Sequence, residues 1–162
     1  MKKIPVLFTV LIVCFASLAA CTAVEGVNLY FAEEESFRLV AEKRVIEEDN
    51  LPLAALQALF AGPRTEGLIT LIADGVQVVS LEVKNGVAYL DLSPEFNNVN
   101  YGSGAEAAML GMIVNTLTEL NGIEAVYITV EGRVPGCLHH IGSSGPFTWS
   151  KNLLKKPRLG SN

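Results

Sequence analysis

The 162-residue chain is poor in basic residues, in aromatic residues and in cysteine. It has 12 Lys and Arg against 17 Asp and Glu, and this charge of −5 is the opposite of what a nucleic-acid-binding surface requires. Aromatic residues make up 7% and Trp occurs once, which argues against a surface that stacks nucleobases. Three Cys cannot close a framework of paired disulfides. Half of the residues are hydrophobic, so the chain is not a disordered linker, and its length suits one domain plus a processed segment.

The hydrophobic residues are concentrated at the N-terminus. Lys2 and Lys3 precede an uncharged stretch over residues 4–20, which is typical of a secretion signal and short for a membrane-spanning helix. The stretch ends in Leu18-Ala19-Ala20-Cys21, which resembles the lipobox of bacterial lipoproteins. In that family the signal, here residues 1–20, is removed, the cysteine carries a diacylglyceryl group, and its new amine is commonly acylated, for example with palmitate. Cys21 is therefore the expected lipid attachment site; an uncleaved anchor and ordinary cleavage are the alternatives.

Removal of residues 1–20 changes the composition of the chain. It leaves 142 residues with 10 basic and 17 acidic side chains, a net charge of −7. Cys14 is lost with the signal and Cys21 is lipidated, so Cys137 remains alone and the mature domain has no internal disulfide. A domain of this size can bury about two-thirds of its unfolded surface and is held by its core. Residues 21–26 are expected to form a short tether to the extracytoplasmic face of the cell membrane.

The spacing of apolar residues predicts two helices and several strands. Asn50 is the expected N-cap of the first helix, which Gly62-Pro63 ends. The second helix is expected over residues 105–120, with Ser103 as its N-cap and Glu106 completing a capping box. Asn85-Gly86 predicts a hairpin, because both positions of its turn need positive φ. The predicted strands cover residues 27–32, 37–46, 76–84, 87–93 and 126–130, with a short apolar segment at 68–72.

The predicted order of elements is β-β-α-(β)-β-β-α-β. It indicates the α+β class, as a two-layer sandwich in which two amphipathic helices pack on one face of a largely antiparallel sheet. Residues 133–162 are rich in Gly, Ser and Pro, and we expect an irregular segment that ends in a basic tail.

Several short blocks of the sequence occur together in one known family. The blocks are Leu56-Gln57-Ala58-Leu59-Phe60-Ala61-Gly62-Pro63, Gly67-Leu68, Ile72-Ala73-Asp74-Gly75, Val83-Lys84-Asn85-Gly86-Val87-Ala88-Tyr89-Leu90-Asp91-Leu92-Ser93, Glu95-Phe96, Gly102-Ser103-Gly104-Ala105-Glu106 and Ile113-Val114-Asn115-Thr116-Leu117-Thr118-Glu119. With the first predicted strand, they resemble the GerM domain, which is named for sporulation and spore germination. We assign residues 27–132 to one GerM-like domain on this basis.

The resemblance implies a compact α/β module on an envelope lipoprotein. Such modules are similar in shape to the ring-building modules of secretion-type assemblies. No catalytic residues are associated with the family, so the resemblance implies neither an enzyme nor a cofactor. The usual member from a spore-former resembles two such domains in tandem, whereas this chain has one.

Cys137, His139 and His140 form the one cluster of reactive side chains. A metal site needs three or four ligands at recognised spacings, and the sequence has no second cluster to supply them. A catalytic cysteine needs its base beside it in space, which the sequence does not show. We predict neither a metal site nor a catalytic site here, and interpret Cys137 as a small packed residue.

Other polar segments are interpreted as surface or capping features. The polar residues of the second helix are expected on a solvated or sheet-edge face, with a binding role as the alternative. Gly102-Ser103-Gly104 is interpreted as a cap and not as an anion site. The acidic segments are interpreted as solvated turns without the spacing of a calcium loop, and the basic tail as a headgroup contact or a disordered end. The residues are Asn115, Thr116, Thr118 and Glu119 on the helix, Glu33-Glu34-Glu35 and Glu47-Glu48-Asp49 in the turns, and Lys151, Lys155, Lys156 and Arg158 in the tail.

These observations favour a non-enzymatic, lipid-anchored domain that binds another envelope component, most simply a protein. Self-association through a sheet edge is a specific form of this hypothesis. A binding module for peptidoglycan or a small ligand is the first alternative, with a pocket lined by Tyr89, Tyr101, Tyr127 or Trp149. The second is a Cys/His hydrolase, which requires a lowered pKa at Cys137. No nucleic-acid partner and no cofactor are expected.

Overall fold

The computed structural model of the protein describes residues 26–141 and 146–155. The α+β class and the predicted order of elements are confirmed, and one short strand is added near the C-terminus. The elements are β1 (Val27–Glu33), β2 (Leu39–Arg44), α1 (Leu51–Phe60), β3 (Leu68–Ile69), β4 (Val78–Lys84), β5 (Val87–Leu92), α2 (Ser103–Thr118), β6 (Ala125–Val130) and β7 (Phe147–Thr148). Two short 3₁₀ turns lie at Pro94–Asn97 and Lys151–Leu153.

The strands divide between two sheets, where the sequence predicted one. The first sheet has the order β2-β1-β3 and is antiparallel. The second has the order β4-β5-β6-β7, with β5 and β6 parallel and the other pairs antiparallel. The parallel pair arises because α2 lies between β5 and β6 in the chain, and a crossover through a helix returns the next strand in the same direction.

The α2 helix is buried on every side, whereas the sequence predicted an amphipathic helix. Every residue from 108 to 117 is buried. The helix packs on β1 and also contacts α1, β6 and β7, so elements of both sheets cover it. A helix in this position needs no polar face, and the apolar stripe read from the sequence is only part of its buried surface.

Two local predictions are confirmed in full. The Asn50 side chain caps α1 by accepting a hydrogen bond from the backbone N of Leu53 at 3.3 Å. Asn85 and Gly86 both have positive φ, of 51° and 79°, and they join β4 to β5 in register, with Lys84 opposite Val87. Each feature depends on two or three adjacent residues, which is why the sequence alone was sufficient.

The core is continuous between the two sheets and the helices. Phe96 is fully buried although it lies in a segment predicted to be a polar loop. The largest fully buried side chains are Phe31, Phe96, Leu29, Leu39, Leu56, Leu59, Leu90, Leu92, Met109, Met112, Ile113 and Leu117. Within the described residues, no helix is long and apolar enough to cross a membrane.

Candidate functional site

The start of α2 carries a buried carboxylate in place of the predicted capping box. Gly102 is the N-cap without a side-chain hydrogen bond, and Ser103 is already helical. Glu106 is fully buried, and its carboxylate accepts hydrogen bonds from the backbone N of His140 at 3.0 Å and of Ile141 at 2.9 Å. Its Oε2 also lies 2.8 Å from Nδ1 of His140. The prediction of a capping box is therefore wrong, because the side chain turns toward a segment 34 residues away.

These contacts determine the charge state of Glu106. Burial tends to raise the pKa of the carboxyl, but the hydrogen bonds from His140 and Ile141 outweigh it and hold the pKa below its ordinary value. The charged carboxylate therefore ties the segment around residue 140 to α2. The His140 ring remains half-exposed. We interpret this pair as a structural clamp, because the Glu106 carboxylate is occupied by hydrogen bonds from the segment that it holds.

Cys137 lies close to this clamp and is buried, with 4% of its surface exposed. Its backbone N donates a hydrogen bond to Oδ1 of Asn97 at 3.2 Å. Burial raises the pKa of the thiol, and the charge of Glu106 adds to the effect. A raised pKa disfavours the thiolate that a Cys/His hydrolase needs. In residues 26–141 and 146–155, no three His, Cys, Asp or Glu side chains are grouped as a metal site would require.

The polar residues of α2 are not on a solvated face, so this interpretation is wrong for two of them. Asn115 and Thr116 are fully buried. Thr116 Oγ1 accepts a hydrogen bond from the backbone N of Tyr30 at 3.0 Å. The Asn115 side chain accepts from the backbone N of Ser150 at 2.9 Å and donates to its carbonyl at 3.3 Å. Through these hydrogen bonds, Thr116 holds β1 and Asn115 holds the C-terminal segment against α2.

Glu119, by contrast, is exposed just beyond the end of α2. Its two oxygens accept hydrogen bonds from Nδ2 of Asn28 and from the hydroxyl of Tyr30, each at 2.8 Å. Burial, and then the hydrogen bond and charge of Glu119, raise the pKa of Tyr30 to about 12. Both oxygens of the carboxylate are occupied within the protein, so the network stabilises the contact between β1 and α2.

A buried ion pair on β2, which no sequence pattern indicated, also stabilises the fold. Arg44 donates to Glu42 at 2.7 Å and to the carbonyl of Gly62 at 2.7 Å, so it satisfies the end of α1. Glu42 accepts from the backbone N of Arg64 and Thr65 at 3.0 and 2.8 Å. Burial tends to raise the pKa of Glu42, but these hydrogen bonds outweigh it and lower the pKa to about 2.

The remaining predicted features are on the surface or outside the described residues. The second and third residues of the first acidic segment and all three of the second are exposed, as expected for turns. Glu33 forms an ion pair with Lys155, and Lys151 is exposed. The signal, residues 21–25 of the tether including Cys21, and the tail residues Lys156 and Arg158 lie outside the described residues.

The four aromatic residues proposed to line a ligand pocket do not come together. Tyr89 and Tyr127 are neighbours on the second sheet, with ring centroids 6.1 Å apart, but Tyr101 precedes α2 and Trp149 follows β7. Cavities of about 210, 350 and 360 Å³ have other linings. The smallest of these lies between α2 and the C-terminal segment, where Gly111, Val114, Phe147 and Leu153 are among its lining residues.

The surface most suited to a partner is the solvent-facing side of the second sheet. We call Glu82, Lys84, Tyr89 and Tyr127 the outer sheet face. Tyr89 is 46% exposed and lies opposite Glu82 on β4 and beside Tyr127 on β6. Glu82 and Lys84 form an exposed ion pair at 2.7 Å. Large amphipathic rings such as those of Tyr are enriched in protein interfaces.

β4 is also the edge of this sheet. Among the described strands, none pairs with its outer side, and Val79 and Val83 are 59% and 43% exposed. The edge of the first sheet differs, because Leu39 on β2 bridges to Leu154 and accepts a hydrogen bond from the backbone N of Lys155. A free strand edge with exposed valines can accept another strand by backbone hydrogen bonding.

Comparison with known proteins assigns the fold to a family. Residues 28–135 match the family model Germane, which describes sporulation and spore germination domains. The chain is similar to the tandem GerMN domains of the sporulation protein GerM from Bacillus subtilis, with 24% identity, a TM-score of 0.62, and coverage of 86% of this chain and 51% of that chain. It therefore spans about half the length of the tandem structure. No curated protein matches the chain significantly.

Two further solved structures resemble the chain. The first GerMN domain of Bacillus subtilis GerM is 24% identical, with a TM-score of 0.56 over 67% of this chain and 84% of that chain. A candidate lipoprotein from Clostridium perfringens is 28% identical, with a TM-score of 0.56 over 75% of this chain and 85% of that chain. This chain therefore covers more than four-fifths of the length of both structures.

Proposed function

The chain belongs to the Germane family of sporulation and spore germination domains, and from this premise we propose that it is a lipid-anchored envelope protein whose domain binds another protein. Cys21 is the proposed lipid attachment site, and residues 27–132 form the proposed interaction domain. The similarity to a candidate lipoprotein from Clostridium perfringens supports the anchor. Germane domains on a membrane anchor place a folded module next to the bilayer, where a protein partner in the envelope is accessible.

The observation that carries this proposal is the outer sheet face together with the free edge of β4. It combines the exposed Tyr89 ring and the half-buried Tyr127 ring with exposed Val79 and Val83 on one sheet. Tyrosine supplies large contact area at a small cost in side-chain entropy, and a free edge supplies unpaired backbone groups. Both properties suit a protein partner.

The reactive side chains support a non-enzymatic role. The Cys137 thiol is buried with a raised pKa, and His140 is engaged by the buried Glu106. A nucleophile of this kind is protonated at neutral pH, and its nearest charged neighbour opposes ionisation. We therefore propose binding, and not hydrolysis, as the function of the domain.

The test is site-specific photo-crosslinking in intact cells that make the full chain. A photo-reactive amino acid replaces Tyr89 in one strain and Val45 in a second. Val45 is the matched control, because it is 62% exposed and follows β2 of the other sheet. We expect protein adducts from position 89 and not from position 45. No protein adduct from position 89, or the same adducts from both, would contradict the proposal.

Peptidoglycan binding is a second candidate, because the exposed Tyr89 ring and the half-buried Tyr127 ring are adjacent on a sheet surface that a glycan strand can reach. Binding of the purified protein to cell-wall sacculi, lost in Tyr89→Ala and retained in Val45→Ala, would favour this candidate. If neither the Tyr89→Ala nor the Val45→Ala variant is retained on the sacculi, a protein partner remains the better explanation of this surface.

A further inference from the structure

We propose that the protein partner at the free edge of β4 is a second copy of the same chain. The two copies pair through β4 in antiparallel orientation, about a two-fold axis at Val83. The inference rests on the proposed protein-binding function and names its partner. The pair would be closed by its symmetry, because each copy uses the same strand on both sides of the contact.

The hairpin geometry shows which backbone groups are free. The two-residue turn makes Lys84 and Val87 a hydrogen-bonded pair, and Glu82 and Tyr89 form the next one. The N–H and C=O groups of the alternate residues on β4 therefore point away from β5. Leu81 and Val83 are these residues, and they present the donors and acceptors that a new strand requires.

The first part of β4 is less accessible than its end. The register shifts between Val78 and Ser80, so a bulge interrupts the strand there. Val78 also lines one cavity together with Gln57 and Phe60 of α1, so the helix lies beside this part of the edge. Bulges and covered edges limit strand pairing, and the regular free segment is residues 80–84.

The charges on β4 are complementary to themselves in one register. When Val83 of each copy lies opposite Val83 of the other, Glu82 of one copy lies opposite Lys84 of the second copy, and the same contact is repeated by symmetry. Opposite charges stabilise cross-strand pairs, and like charges destabilise them. A pairing centred on Leu81 would instead place Glu82 opposite Ser80 and would use the bulged part of the strand.

The proposed anchor is compatible with this arrangement. Gly26 lines one cavity with Leu120 and Asn121 at the end of α2, and the backbone N of Glu124 donates a hydrogen bond to the carbonyl of Gly86 in the hairpin turn at 2.7 Å. Gly26, the last residue of the tether, and the turn therefore lie at the same end of the molecule. An axis at Val83, next to the turn, brings Gly26 of both copies toward the centre of the pair. Two anchors in one membrane raise the effective concentration, so a short strand contact is sufficient.

The first test is thiol crosslinking of the full chain in intact cells with a short bismaleimide. Val83→Cys should give a covalent dimer, whereas Val45→Cys and the wild-type chain, which reports on the native cysteines, should not. No dimer from Val83→Cys above the wild-type level would overturn the inference. If Val83→Cys forms adducts only with other proteins, the proposed dimer is also overturned, but the proposed protein-binding function remains intact.

The second test is a charge exchange in the Val83→Cys background. Glu82→Lys or Lys84→Glu alone places like charges opposite each other twice, and each should reduce the dimer yield by about ten-fold. The double variant Glu82→Lys/Lys84→Glu restores the complementarity and should restore the yield. Equal dimer yields from Val83→Cys alone, the two single charge variants and the double variant would contradict the proposed register. A dimer yield that falls in the single variants and is not restored in the double variant would also contradict it. Unchanged thermal unfolding would show that the exposed substitutions leave the fold intact.

Discussion

Glu106 shows how one side chain joins distant parts of this chain. A buried carboxylate is tolerated only where hydrogen bonds replace its lost hydration. Here two backbone N–H groups and the His140 ring provide them, and all three belong to the segment after the last long strand. The residue thus connects the first turn of α2 with the region that carries Cys137.

We expect Glu106→Gln to destabilise the protein by about 1–3 kcal/mol at neutral pH, because the amide carries no charge and places an NH₂ group where Oε2 accepts a hydrogen bond from the backbone N of His140. Urea denaturation of the purified protein measures the difference. Glu48→Gln is the control, since Glu48 is exposed. Equal stability of Glu106→Gln and wild type would show that the clamp contributes nothing.

The same substitution has a defined pH dependence. The pKa of Glu106 is lowered on folding, so the charged form stabilises the native state above the ordinary carboxyl value of 4.5. That contribution is lost as the pH falls through the lowered folded value. The gap in stability between wild type and Glu106→Gln should therefore narrow in acid. A gap that widens below pH 4.5 would contradict this assignment of charge.

Among the elements, α2 determines how the two sheets are held together. It packs on β1 of the first sheet and contacts β6 and β7 of the second. Gly111, in the middle of the helix, allows close approach of two side chains. A Cβ at this position would lie 2.9 Å from Cδ1 of the buried Leu39 and 2.5 Å from Cδ1 of Leu153. The missing side chain therefore permits the C-terminal segment to pack on the helix.

We expect Gly111→Ala to destabilise the protein by about 1–3 kcal/mol, since crowding at Leu39 and Leu153 exceeds the gain in helix propensity. Gly104→Ala is the matched control on the same helix. No atom lies within 4 Å of its added Cβ, so it should be stabilising by about 0.5–1 kcal/mol. Thermal unfolding of both variants measures this contrast. Similar changes of the same sign would argue against close packing at Gly111.

The elements also show what a sequence can and cannot predict. The cap at Asn50 and the turn at Asn85-Gly86 depend on neighbouring residues, and both were predicted correctly. The burial of Asn115 and the direction of the Glu106 side chain depend on segments about 35 residues away, which no local pattern encodes. Tyr89 and Tyr127 were recognised as candidate binding residues, but only strand pairing shows that they are adjacent on an open face.

At the scale of the whole molecule, charge and anchor have opposite effects at the membrane. Without residues 1–20 the chain carries a net charge of −7, which is repelled by an anionic bilayer surface. Charge alone would therefore not keep the domain at a membrane, and the proposed lipid on Cys21 would have to do so. Two or three acyl chains on Cys21 would hold it firmly, at about 0.8 kcal/mol for each buried CH₂ group.

We predict that Cys21→Ser abolishes lipid labelling of the protein in cells fed a clickable palmitate analogue, because a hydroxyl does not replace the thiol in forming the thioether. Labelling is the decisive measurement, since an uncleaved signal over residues 4–20 could still associate with the membrane through its apolar side chains. Cys137→Ser is the matched control and should keep full labelling, because that thiol is buried in the folded domain. Label retained in Cys21→Ser, or absent from the wild-type chain, would exclude Cys21 as the lipid attachment site. The position of the outer sheet face relative to the membrane would then be undefined.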